Sequence, residues 1–265
     1  MRANLQAGTG PPPHAEPTAT PSYAALVTLL AAVRLVSYLN AAALDPRLRE
    51  RAPFAVQGTD LAHHVVDPQG LIGVDPWAAA PLPEVFEELL AHPGRPWLLA
   101  LPGPGRLAPL QGPPELVRAA LAAGSAVVAT GGGLALVPHR VGPALQWEVL
   151  PAERPGAVPT AYEAERELSE TVLRAARDLT DLDVAGGRRP KDTVLELAPG
   201  YPPRQRLAAD RAARLWLASA AALDGDGTSI SVYEADRRRA ALLSVREAAA
   251  QALVAAVSWL GVEQD

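Results

Sequence analysis

The stretch WLLALPGPGRLAPLQGPPELVRAALAAGSAVVATGGGLALVPHRVGPALQWEVLPA, residues 97–152, decides the fold class. Residues 97–101 are a short apolar run that stops at Pro102, Gly103, Pro104 and Gly105. Residues 115–123 then carry apolar side chains at helical spacing, and residues 125–130 are a second apolar run ending at Gly131, Gly132 and Gly133. Short apolar runs bounded by glycine and proline signal strands, and three-and-four spacing signals a helix. The strand–helix–strand order predicts a βαβ crossover with parallel strands and a right-handed connection. Only glycines separate Thr130 from Leu134, so the next link is predicted to be a hairpin. Residues 134–141 and 145–150 are two further strand candidates, punctuated by Gly142 and Pro143. The expected fold is α+β: a mixed sheet containing one βαβ unit and a β-meander, with a helical C-terminal half.

On the N-terminal side, Thr20 and Pro21 resemble a helix N-cap followed by proline at the first helical position. A helix starting there buries Leu26, Leu29, Leu30, Val33 and Val36 and ends near Asn40. Residues 54–56 and 63–66 are short strand candidates between several prolines, and Pro83 opens a helix over residues 84–92.

Three long helices are predicted on the C-terminal side, over residues 161–182, from Pro203 to Leu223, and over residues 232–260. Thr160 with Glu163, and Ser231 with Glu234, are S/T-x-x-E capping boxes at the starts of the first and third. The third carries Leu242, Val245, Ala249, Leu253, Ala256 and Leu260 on one stripe, flanked by Leu243, Val254, Val257 and Trp259. A helix that apolar is buried on more than one side, which predicts a homodimer seam or cover from the rest of the chain. The organisation expected is a disordered tail over residues 1–20, an α/β body over 21–158 and a helical region over 159–265 packed on it as one compact unit.

A chain of 265 residues that is 49% hydrophobic can build a sizeable core. Its net charge of −5 argues against a nucleic-acid or anionic-membrane binder. With no cysteine, disulfides, thiolate nucleophiles and cysteine-held metals are excluded, and the cytoplasm is the expected location. The apolar run over residues 24–33 is interrupted by Arg34, and the C-terminal run by Arg246, Glu247 and Gln251, so no membrane span is expected.

Gly103 and Gly105 sit where a phosphate loop would be sought, but Pro102 and Pro104 have no N–H to offer an anion. Gly131, Gly132 and Gly133 have all three donors and could wrap an anion, but the run after them is β-like and offers no helix dipole, so a hairpin turn needing positive φ is the favoured reading. His139 and Arg140 are the titratable pair nearest the meander and point to opposite faces of their strand. These seven residues are the candidate binding positions for a small anionic ligand. Asp60, His63, His64 and Asp67 form a His/Asp cluster, but neighbouring histidines on a strand diverge, so exposed or core-satisfied histidines are expected and no metal. Asp224, Asp226 and Thr228 resemble the start of a calcium loop, yet Ser229 and Ala235 stand where it needs glycine and glutamate. Arg237, Arg238 and Arg239 fan around a helix, suiting a solvated face or a salt bridge to Glu163 or Glu167. No catalytic motif is present and no cofactor is implied, so catalytic residues stay unassigned. The expectation is a non-catalytic binding or interaction protein. The alternative is an enzyme acting on a small anionic substrate at the loops following residues 97–101 and 125–130.

Overall fold

The computed structural model describes residues 23–103, 105–181, 195–223 and 231–258. The expected tail over residues 1–20, the calcium-like segment at Asp224–Thr228 and Trp259 lie outside the described residues. Helix α1 (Tyr23–Leu44) is followed by a 3-10 turn, the short helix α2 (Ala52–Gln57), strands β1 (His63–Val66) and β2 (Ala80–Pro81), and helix α3 (Leu82–Ala91). Then come β3 (Trp97–Ala100), α4 (Pro114–Ala123), β4 (Ala126–Ala129), β5 (Gly133–Val141) and β6 (Ala144–Ala152). The helices α5 (Ala161–Asp181), α6 (Pro203–Leu223) and α7 (Val232–Val257) follow. Phe54 and Val56, expected on a strand, lie in α2, where Pro53 stands in the first turn that a helix tolerates.

The six strands form one mixed sheet in the order β2-β1-β6-β5-β4-β3. The α+β class, the meander and the helical C-terminal half are all present. β4, β5 and β6 are consecutive antiparallel neighbours, and among the described residues the one parallel pair is β1 with β6. The expected parallel pairing of the two strands around α4 is overturned: β3 and β4 are antiparallel, with Trp97 opposite Ala129 and Ala100 opposite Ala126. The reason is the loop that precedes α4. After β3 it runs to the far end of the sheet, where Glu153 N–H donates to the Gln111 carbonyl and Gly112 lies against Ala152. α4 therefore starts at that far end and, being ten residues or about 15 Å long, returns the chain to the end where β3 finished. Two passes make the next strand antiparallel, where a single helical pass would have made it parallel.

Alternation along the strands divides the core in two. One face of the sheet buries Trp97, Leu99, Val127, Leu136, Trp147 and Val149 beneath the larger cluster, which includes α1, α3 and α7 residues. The opposite face presents Ala100, Val128, Ala135, Val137 and Leu150 to α4. β3 ends the sheet, yet its outer edge is not open. Asn40 of α1 both accepts from Trp97 N–H and donates to the Trp97 carbonyl, each at 2.9 Å, as a neighbouring strand would. Ser258, at the end of α7, accepts from Leu99 N–H at 3.0 Å.

Arg204 reaches Glu165 and Arg211 reaches Ser169, so α5 and α6 run parallel. Arg237 near the start of α7 pairs with Asp178 near the end of α5 at 3.2 Å, so α7 runs antiparallel to α5. This direction corrects the expected partners of the arginine run, since Glu163 and Glu167 lie toward the opposite end of α5. Leu253, Val254 and Val257 are buried within the chain itself, while Leu243 remains exposed. The apolar surplus that motivated a dimer seam on α7 is thus largely met by intrachain cover. Helices α1 and α7 each contain a window long and apolar enough to cross a membrane, and 67% and 61% of those windows is buried inside the fold.

Candidate functional site

The sheet separates the residues that a shared anion site would need. Because β3 and β4 are antiparallel, the loops that follow them leave from opposite ends, so Gly103 and Gly105 are not beside Gly131–Gly133. The glycine run is a structural crossing. Gly131 N–H donates to the Gly94 carbonyl at 2.7 Å, Gly132 N–H donates to Ala129 at 2.9 Å, and Gly133 pairs with Ala152 in the sheet. A Cβ on Gly131 would stand 2.8 Å from Gly94 Cα, so the two backbones touch. His139 and Arg140 lie at the other end of β5 from Gly133. His139 Nε2 faces Glu148 Oε2 at 3.0 Å, and the Arg140 guanidinium donates to the Gly142 carbonyl.

The His/Asp cluster also disperses. His63 is buried, and its Nδ1 accepts from the Trp147 indole N–H at 3.3 Å while Nε2 meets Asp60 Oδ2 at 3.1 Å. With Nδ1 taken as acceptor, Nε2 carries the proton and donates to the carboxylate. Burial pushes the imidazole pKa below its ordinary value, against the raising effect of Asp60, so the neutral ring is favoured. Asp67 caps the following loop by accepting from the N–H groups of Leu71 and Ile72, each at 2.8 Å. His64 belongs to the opposite face of β1. Among the described residues no group of three or more potential ligands could hold a metal.

What the fold does assemble is a cleft of about 240 Å³ where the sheet meets the helical half. Its walls include Leu101 after β3, Pro109, Val158 and the α7 residue Val254, and its polar lining is Arg106 and Gln251. Gly103 and Arg106 exchange two backbone hydrogen bonds, at 2.8 and 2.9 Å, in a tight turn with Gly105 at φ +77°. This turn sets the Arg106 guanidinium against the carboxylate of Glu247 on α7. The Pro109 carbonyl accepts from Gly156 N–H at 2.9 Å, which holds the segment bearing Val158 against the loop. On α7, Glu247, Ala250, Gln251 and Val254 recur at three-and-four spacing and so share one face.

Of the sequence candidates, only Gly103 and Gly105 belong to this place, through the turn that carries Arg106. Arg106, Glu247 and Gln251 were not singled out as binding residues. Their trace in the sequence is the interruption of the apolar C-terminal run by Glu247 and Gln251, four residues apart on one helical face.

Comparison with known families fits the cleft's position. Residues 32–165 match the family described as Rv1486c-like protein, N-terminal domain, and residues 162–254 match that described as Rv1486c-like protein, C-terminal domain. The chain belongs to the Rv1486c-like family. No curated protein and no solved structure matches it. In Rv1486c-like terms, Leu101, Arg106, Pro109 and Val158 come from the N-terminal domain and Glu247, Ala250, Gln251 and Val254 from the C-terminal one. The cleft is therefore at the join of the two Rv1486c-like domains, a preferred location for ligand sites.

Proposed function

We propose that the protein is a non-catalytic, cytoplasmic binding protein whose cleft between the two domains takes a small, largely apolar ligand. The observation that carries this reading is the character of the lining. Among the described residues the one charged side chain of the lining, paired with Glu247 on α7, is the guanidinium of Arg106. Such a group can hold and orient an anion but makes a poor general acid or base. The apolar wall supplies most of the contact surface, as small-molecule sites do. The alternative of an enzyme at the loops after β3 and β4 loses support, because those loops diverge.

The test is a titration of isotope-labelled protein with a panel of small apolar fragments, toluene and cyclohexanol among them. Saturable shifts centred on Val158, Ala250 and Val254 support the proposal. Val254→Trp, which fills the cleft, should abolish them. Fragments that move none of these signals at millimolar concentration overturn it.

A further inference from the structure

We propose that the ligand is a small monocarboxylate and that the Arg106–Glu247 ion pair is a latch at the cleft's margin, whose Glu247 carboxylate the ligand's own replaces on Arg106. This rests on the binding reading above and adds the chemical class and the exchange. The cleft's 240 Å³ admits a ligand of several non-hydrogen atoms, since a water's share of liquid volume is about 30 Å³. Its walls are apolar apart from Arg106 and Gln251, so a short hydrocarbon with one polar end matches both volume and lining.

The polar end is set by charge. Arg106 presents five N–H donors in a planar fork that matches a carboxylate. Its partner in the free protein is Glu247, and the two side chains are 36% and 41% exposed. An ion pair that open to solvent contributes little to stability, so separating it demands little. A ligand carboxylate would meet the same guanidinium with its chain covering the apolar wall and excluding water, where the attraction is stronger. Glu247 would then face a like charge and turn toward solvent. Gln251, one turn farther along the same face of α7, offers an uncharged amide that can donate to the second carboxylate oxygen. Arg106 is on the N-terminal domain and Glu247 on the C-terminal one, so ligand entry also releases a charged tie between them.

The experiment compares hexanoate, which has eight non-hydrogen atoms, with hexanol, which has the same chain but no charge. Both are titrated by calorimetry and by shifts in labelled full-length protein, in a buffer free of carboxylate and phosphate. Hexanoate should bind in the millimolar range and at least about threefold more tightly than hexanol. Glu247→Gln should tighten hexanoate about three- to tenfold by removing the competing charge, with hexanol unaffected. Arg106→Gln should erase the preference for hexanoate and leave hexanol binding in place. Retained melting temperatures keep these comparisons within folded protein, and should one variant unfold, the equally uncharged Arg106→Met and Glu247→Ala replace the pair. Equal binding of hexanoate and hexanol overturns the carboxylate inference while leaving the binding reading intact. A hexanoate preference that Glu247→Gln does not raise overturns the latch. Binding of neither probe, together with silent fragments, overturns both.

Discussion

Replacing Gly132 with valine places a side chain where two backbone segments already meet. Gly132 adopts φ +80°, and a Cβ there would lie 2.9 Å from Arg154 N and 3.2 Å from the Glu153 carbonyl carbon. These are main-chain atoms held beside the end of β6, so the obstruction cannot turn aside as a flexible side-chain tip would. The left-handed conformation alone costs a residue with a Cβ about 1–2 kcal/mol. Forcing atoms into a packed site adds about 1–3 kcal/mol. The combined loss is about 2–5 kcal/mol, a large part of the roughly 5–15 kcal/mol that stabilises a typical protein. At about 2–4 °C per kcal/mol for a chain of this size, the melting temperature should fall by about 4–20 °C. Gly142 provides the control. It has φ +61° at the β5–β6 turn with nothing within 4 Å of a Cβ. Gly142→Ala should therefore show the conformational cost alone, about 1–2 kcal/mol. Calorimetry and guanidinium unfolding of the two variants measure the difference. Equal, small losses would refute the close-approach argument, and a stable Gly132→Val variant would refute the crossing itself.

Leu253 is fully buried, so Leu253→Asp should cost about 4 kcal/mol or more and unfold the chain; a soluble, folded variant by circular dichroism would contradict its place in the core. Ser258→Ala strips Leu99 N–H of its acceptor and should cost about 1–3 kcal/mol by denaturant unfolding, whereas an unchanged midpoint would show that another group takes over. Because burial lowers the folded pKa of His63, the unfolded chain takes up the proton first. Its contribution is complete above about pH 6.5 and is lost as pH falls through the lower folded value. Wild-type protein should lose more stability between pH 7.5 and pH 5 than His63→Gln, and identical slopes would sink the assignment.

Features set by neighbouring residues were legible in the sequence. At the start of α5, Thr160 accepts from Glu163 N–H and the Glu163 carboxylate accepts from Thr160 N–H, as the spacing of the two implied. α7 opens on the same reciprocal pair, Ser231 with Glu234. The Gly142 turn and the strands it joins also followed from local composition. The direction of β4 did not, because it depends on how far an irregular loop travels, and loop 101–113 has no periodicity to reveal its path. Phe54 was misplaced for a related reason: a six-residue helix opened by proline is too short to show a helical repeat. The cleft was the least visible part. Arg106 and Glu247 come from segments joined only through tertiary packing, and each alone is an ordinary surface charge. Asn40 was likewise hidden, since its amide acts on a strand that nothing near it in sequence announces.

The seal on β3 has a consequence in time. An uncovered sheet edge is a template for pairing with another chain. Asn40 is synthesised before the strand it covers, but Ser258 follows Leu99 by 159 positions. At about 5–20 residues per second, roughly 8–32 s of translation separate the strand from the hydroxyl that completes its edge. Throughout that interval the nascent chain has half of its border guarded and half bare. The final turn of α7 is thus the last stitch in the sheet, and a polypeptide that stops just short of it leaves the Leu99 half of that edge without its cover.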